Sequence, residues 1–226
     1  MTVVSNYAEG VAIDASATRA KLIAAGERLF ATQGIHAAQM REVVRAAGQA
    51  NDSAVHYHFG SRDGLLTAIC QWHIDAMEPD RLRRLAEQGT EPDLATVIAD
   101  LVGPTADRLH TQEGRYFLRI TAQLAGHAGV RGGGAPHPIV GRALRTQLEQ
   151  VQRICVSSMP RELAGERIAI MIGALTAALS DRATAIDAGG PFGLDEVTFV
   201  ANLEAMLGAA LCAPLPAVRD RATAAR

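Results

Sequence analysis

Nine consecutive residues, Asn51-Asp52-Ser53-Ala54-Val55-His56-Tyr57-His58-Phe59, bring amide, carboxylate, hydroxyl and imidazole groups together in a 226-residue chain. Two histidines suggest a metal first. His56 and His58 are two apart, however, so they do not share one helix face, and no Cys or Glu lies beside them at ligand spacing. No metal site is expected. Hydrolytic and phosphoryl-transfer chemistry finds no support elsewhere either. The chain has no HExxH, no GxSxG, no P-loop and no Glu-x-x-His pair. Gly132-Gly133-Gly134 follows no predicted strand and opens no capped helix, so it is not a dinucleotide fingerprint. No cofactor and no enzymatic activity are expected. A helical enzyme remains the weakest alternative, and a bound chromophore or metal would revive it. The run at 51–59 is left with hydrogen bonding as its chemistry.

The elements that must position this run are helical. Leu22, Gly26, Leu29 and Gln33 recur at helix spacing with Ile23 and Phe30 beside them, and Gly34 suits a left-handed helix end. Ser16 or Thr18 can cap the start. A short helix is predicted over Gln39–Ala47, with Met40, Val43 and Val44 inward and Gly48 closing it. After a tight turn comes the polar run itself. Gly60 breaks it, and Ser61 opens a helix through Leu65, Leu66 and Ile69. Two short helices about a glycine-containing turn form a helix-turn-helix; a plain helical bundle has the same spacing.

Beyond residue 70 the pattern stays helical. Segments are predicted over Trp72–Glu87 with a break at Pro79, over Leu94–His110 with an interruption near Gly103-Pro104, and over Arg115–Ala125. A loop follows at 126–138. Further helices are predicted over Ile139–Val156, from Pro160 to Ile186, and over Leu194–Cys212. In the last two, apolar residues such as Met171, Leu175 and Leu179, then Val197, Leu203, Met206 and Leu207, cover more than one face. A helix apolar on two sides needs two partners, which points to a two-fold four-helix contact between subunits, with a buried core helix as the bland alternative. The fold class is all-α. The expected divisions are a mobile N-terminal arm at 1–17, a helix-turn-helix domain at 18–69, a larger helical domain at 70–212 and a frayed tail at 213–226.

Composition agrees. Hydrophobic residues are 48 % and aromatics 4 %, so the core is built mainly of Ala, Leu, Val and Ile. No apolar run is long enough for a membrane span and the start does not read as a signal peptide, so a cytoplasmic protein is expected. Three scattered cysteines, Cys70, Cys155 and Cys212, fit reduced thiols. Net charge is −2, but residues 18–69 hold six basic and four acidic residues, a small excess of the sign a nucleic-acid partner requires.

The segment from Thr18 to Ile69 resembles the DNA-binding domain of the TetR family of transcriptional regulators. A helix ending RLFATQG, then MREVVRAAG, then YHFGSRDGLL stand in the family's order, over about fifty residues. Three features depart from it. Ala38 stands where the family often has a capping Thr. The turn after Gly48 is one residue longer, which puts Asn51 at the N-cap of the third helix. His56 stands where Tyr is usual.

The resemblance implies a reading helix in the major groove of a palindromic double-stranded operator, bound by a homodimer joined through the last two long helices. That helix holds no Lys or Arg, so it does not read guanine by a bidentate arginine. Asn51, Asp52, Ser53 and His56 are the candidate base readers, with Ala54 against a thymine methyl. Asp52 equally suits the first turn of a helix as a dipole partner. Tyr57, His58 and Arg62 are the implied phosphate contacts, and Arg41 adds charge at the groove edge. The larger domain is implied to bind a small-molecule effector of unknown identity that releases a repressor. Candidate pocket residues are Trp72, His110, Tyr116, Phe117, Arg119, Gln123 and Met171. A constitutive DNA-binding regulator without effector is the alternative.

Overall fold

The computed structural model describes residues 2–51, 53–126 and 141–215, with the backbone alone for 2–15 and 126. Among these residues every regular element is helical. Helix α1 spans Thr2–Gln33, so its backbone continues through the residues read as an arm. That segment has no proline and one glycine, Gly10, and is rich in alanine, which favours helix. Gly34 ends α1 at φ 101°, a conformation that costs a side chain dearly.

Helix α2 (Met40–Ala46) starts from extended Gln39, which makes no side-chain cap. Ala38, the expected cap position, is fully buried instead. Gly48 at φ 68° turns the chain toward α3 (Ala54–Phe59). Ser53, not Asn51, is the residue preceding α3. Asn51 acts one step earlier: its Oδ1 accepts the Ser53 N–H at 2.9 Å, closing a local turn that leads into the helix. Ser61 caps α4 (Arg62–Glu87) as predicted, its hydroxyl accepting the Gly64 N–H at 3.0 Å.

The break expected at Pro79 does not occur; α4 runs through it. Side-chain bonds follow directly after the proline. Arg84 pairs with Asp80 at 2.8 Å and Arg83 with Glu87 at 2.7 Å. Two residues on, buried Arg81 donates to Leu101 O at 3.2 Å, Gln147 Oε1 at 2.7 Å and Thr105 Oγ1 at 2.7 Å. Burial lowers the Arg81 pKa to about 10, which still leaves it a cation. The division expected near residue 70 thus falls inside one continuous helix.

The remaining elements are α5 (Leu94–Ala106), a 3-10 turn at Asp107–His110, α6 (Gln112–Gly126), α7 (Arg142–Val156), α8 (Arg161–Asp187) and α9 (Glu196–Leu211). Gly103 and Pro104 sit inside α5 without interrupting it. Asp93 and Asp195 cap α5 and α9 by accepting the N–H groups of Thr96 and Thr198, each at 2.8 Å. The predicted loop after Gly126 and the tail beyond residue 215 lie outside the described residues.

Two cores result. The head core holds Leu22, Phe30, Val43, Val55, Leu65 and Ile69. The body core holds Ile98, Leu109, Val151, Met171, Leu179 and Leu211. Each fully buried large side chain contributes about 1.5–3 kcal/mol. Helix α6 serves both: Phe117 and Ile120 belong to the head core and Leu118 to the body core. The head is therefore packed on the body by α6 as well as joined to it by α4.

Candidate nucleic-acid interface

Helix α3 owes its position to one glycine and one buried valine. Val55 is 4 % exposed and anchors α3 in the head core. Gly64, in the first turn of α4, lies so close to the end of α3 that a Cβ there would stand 1.9 Å from the Phe59 carbonyl oxygen. Only glycine permits that approach.

With α3 so held, the polar run divides. Asn51, Ser53, His56 and Tyr57 are exposed, Tyr57 at 82 %. His58 is half-buried, with its ring edge-on to Tyr57 at 5.0 Å. Ala54 is placed in the head core beside Val55. Arg41 is exposed on the first turn of α2. Asp52 lies outside the described residues. Arg62 is half-buried, and its Nη1 donates to Ile35 O at 2.5 Å and His36 O at 3.4 Å. It pins the loop between α1 and α2 to the start of α4.

The residues named for an effector pocket are spread over the junction and body. Trp72 and Phe117 meet around His73: the Trp72 ring is edge-on at 4.6 Å and Phe117 stacks at 4.3 Å. His73 in turn contacts the Glu27 carboxylate, and both are buried. Arg119 is bonded to Asp187, joined there by Arg115 at 2.5 Å and Gln112 at 3.0 Å. Burial alone would raise the Asp187 carboxyl, but its three donors outweigh that and hold it below the usual range. Gln123 is bonded to the turn after α1, His110 pairs with Glu196 at 2.9 Å, and Met171 is in the body core. Tyr116 is half-buried beside α1.

Sequence reasoning did not single out Gly64, Glu27 or His73. A signal existed for the pair. Glu27 falls four residues after Ile23 and His73 four after Ile69, so each is a polar residue on an apolar stripe.

Residues 22–69, which run from the C-terminal part of α1 to the first third of α4, match the sequence model of a family described as bacterial regulatory proteins, tetR family. The chain carries the DNA-binding domain of the tetR family. In that TetR-family head, α2 and α3 are the helix-turn-helix. No curated protein matches the chain. Among solved structures, a candidate TetR-family transcriptional regulator from Rhodococcus sp. is similar at 14 % identity and TM-score 0.51, covering 87 % of this chain and 99 % of that one. NalD, the secondary repressor of the MexAB-OprM multidrug efflux pump in Pseudomonas aeruginosa, is similar at 16 % identity and TM-score 0.50, covering 86 % and 95 %. At these identities the likeness is one of fold: a helix-turn-helix head on a larger helical body.

Proposed function

We propose that this protein is a cytoplasmic homodimeric regulator that binds a palindromic operator and is released from it by a small-molecule effector. The observation that carries the reading is the ordered family match over residues 22–69, folded so that the polar side of α3 is open. In this reading residues 18–69 form the reader and 70–212 the effector-binding and dimerising body. Asn51, Asp52, Ser53 and His56 meet base edges, and Tyr57 and His58 meet phosphate. Arg62 meets phosphate as well, beside the loop it pins, and Arg41 contributes charge at the groove edge.

The body supports a dimer through α8 and α9. Ile170, Val197 and Met206 are 63 %, 82 % and 62 % exposed, and exposed alanines such as Ala174 and Ala205 lie among them, so a second copy can approach closely. Two heads would then read half-sites about one helical turn apart. The pocket candidates Trp72, Tyr116 and Phe117 surround the helices that meet the head, where an effector changes head spacing only if it prefers one arrangement.

The test is selection of genomic fragments by the purified full chain, followed by footprinting. A protected palindrome is expected. Binding that stays uniform across sequences at moderate salt would overturn the reading.

A further inference from the structure

A cleft of about 550 Å³ opens between the head and the body. One wall is α1, another is the end of α2 at Ala46 and Gly48, and the third is the first turns of α6 at Glu113 and Tyr116. This volume is within the usual range for small-molecule sites. Small side chains from α1 and α2 create the space. Nothing lies within 4 Å of where a Cβ on Gly48 would be.

The charge of the cleft is uneven. Lys21 and Arg28 both line it, seven residues apart on α1, so they project from one face about 10 Å apart along the helix. Neither has an ion pair among the described residues. The Glu27 carboxylate between them is 2 % exposed and engaged by His73, which leaves Glu113 as the one open carboxylate against two cations. The start of α6 adds the positive end of its helix dipole, and the end of α2 presents the negative end of its own. An anionic group is favoured toward α1 and α6, and an uncharged body toward Ala46 and Gly48, with Tyr116 as an apolar surface.

We propose that this cleft binds an amphipathic anion, an aromatic or aliphatic monocarboxylate, wedged between the head and α6. The proposal rests on the regulator reading only for its consequence: occupancy would fix the angle of the head against the body and so change operator affinity.

The probe is 2-naphthoate, with neutral 2-naphthalenemethanol as control, titrated calorimetrically into the full chain. Saturable naphthoate binding is expected, with the alcohol weaker by about tenfold, the ratio that 1.4 kcal/mol represents. The Lys21→Gln/Arg28→Gln variant should lose about that factor for naphthoate and leave the alcohol unchanged. Ala46→Phe, at an exposed position, should block both ligands while the thermal melt stays that of the parent. Equal affinity for acid and alcohol, no saturable binding of naphthoate, or naphthoate affinity untouched in either variant would overturn the proposal. Footprinting of the selected operator in the same samples separates the two readings. Operator protection without naphthoate binding overturns the cleft alone. Naphthoate binding with the expected variant effects supports the cleft even if no operator is protected.

Discussion

Gln123 accepts the Ile35 N–H at 2.8 Å, a bond that spans 88 residues of sequence and ties α6 to the turn after α1. The same side chain donates from Nε2 to Phe30 O at 3.1 Å. From the other side Arg62 holds the Ile35 carbonyl. The Ile35 residue is thus gripped at its N–H by the body and at its C=O by the helix that follows the reader.

Gln123→Ala removes the body's side of this grip. Both hydrogen bonds to the end of α1 and its following turn are lost, along with a longer one to Arg119 O within α6, so a destabilisation of about 1–3 kcal/mol is expected. Amide exchange should quicken around residues 30–38 more than in α8 or α9. Unchanged exchange in that turn would show that the apolar contacts of α6 suffice to hold the head.

Gly64→Ala tests how α3 is seated. The new Cβ meets the Phe59 carbonyl oxygen, which is backbone and has no rotamer to yield. Overpacking of this kind costs about 1–3 kcal/mol, against a helix-propensity gain of at most about 1 kcal/mol. A lower melting temperature and weaker binding to the selected operator are expected together. Gly60→Ala is a useful companion: its space is open but its φ is 75°, so it probes strain without collision.

Much of the head was legible because its signals are local. Gly34, Gly48 and Gly60 all adopt positive φ at the predicted helix ends, and Ser61 caps as its spacing before Gly64 requires. What escaped depends on contacts distant in sequence. Pro79 reads as a break until Arg81 is seen buried among α5 and α7. That Arg62 also donates to the Ile35 carbonyl, 27 residues away, could not be read from its neighbours. The double role of α6 was hidden because Phe117 and Leu118, adjacent in sequence, face different cores.

Asp187 makes stability depend on acid. Its carboxyl titrates below the usual range in the folded protein, so the stability it contributes is present above the unfolded pKa and lost as pH falls through the folded one. Asp187→Asn should cost about 1–3 kcal/mol near neutral pH, since its partners include two guanidinium groups. The difference between parent and variant should begin to shrink below about pH 4, where the carboxyl of the unfolded chain takes up a proton, and disappear only once pH has fallen through the lower folded value. Denaturant midpoints at both pH values check this; a constant difference would mean the bonds do not need the charge.

The cysteines should divide by reactivity. Burial, with the Glu27 carboxylate second, pushes the Cys70 thiol up to about 12, and burial also raises Cys155. Cys212 is exposed. A thiol reagent under native conditions should label Cys212 quickly and leave the other two until the protein unfolds. Fast labelling of Cys70 would mean that α1 and α4 separate far more readily than their packing implies.

Glu27 and His73 give the sharpest test of the head–body junction. His73 Nε2 faces the carboxylate, while its Nδ1 is buried without a hydrogen-bond partner among the described residues. That arrangement assigns the proton to Nε2, donating to Glu27. Glu27→Leu leaves a buried imidazole with neither nitrogen satisfied, a loss of about 3–5 kcal/mol if the pair is ionic and somewhat less if it is neutral. Glu27→Gln keeps an acceptor at the same reach and should lose only about 1 kcal/mol. The ordering is the informative result. If Leu is as well tolerated as Gln in chemical denaturation, the pair contributes nothing net, and the stacking of His73 on Phe117 at 4.3 Å holds the junction by itself. If Gln rescues, the hydrogen bond between α1 and α4 contributes to holding the junction beyond that stacking.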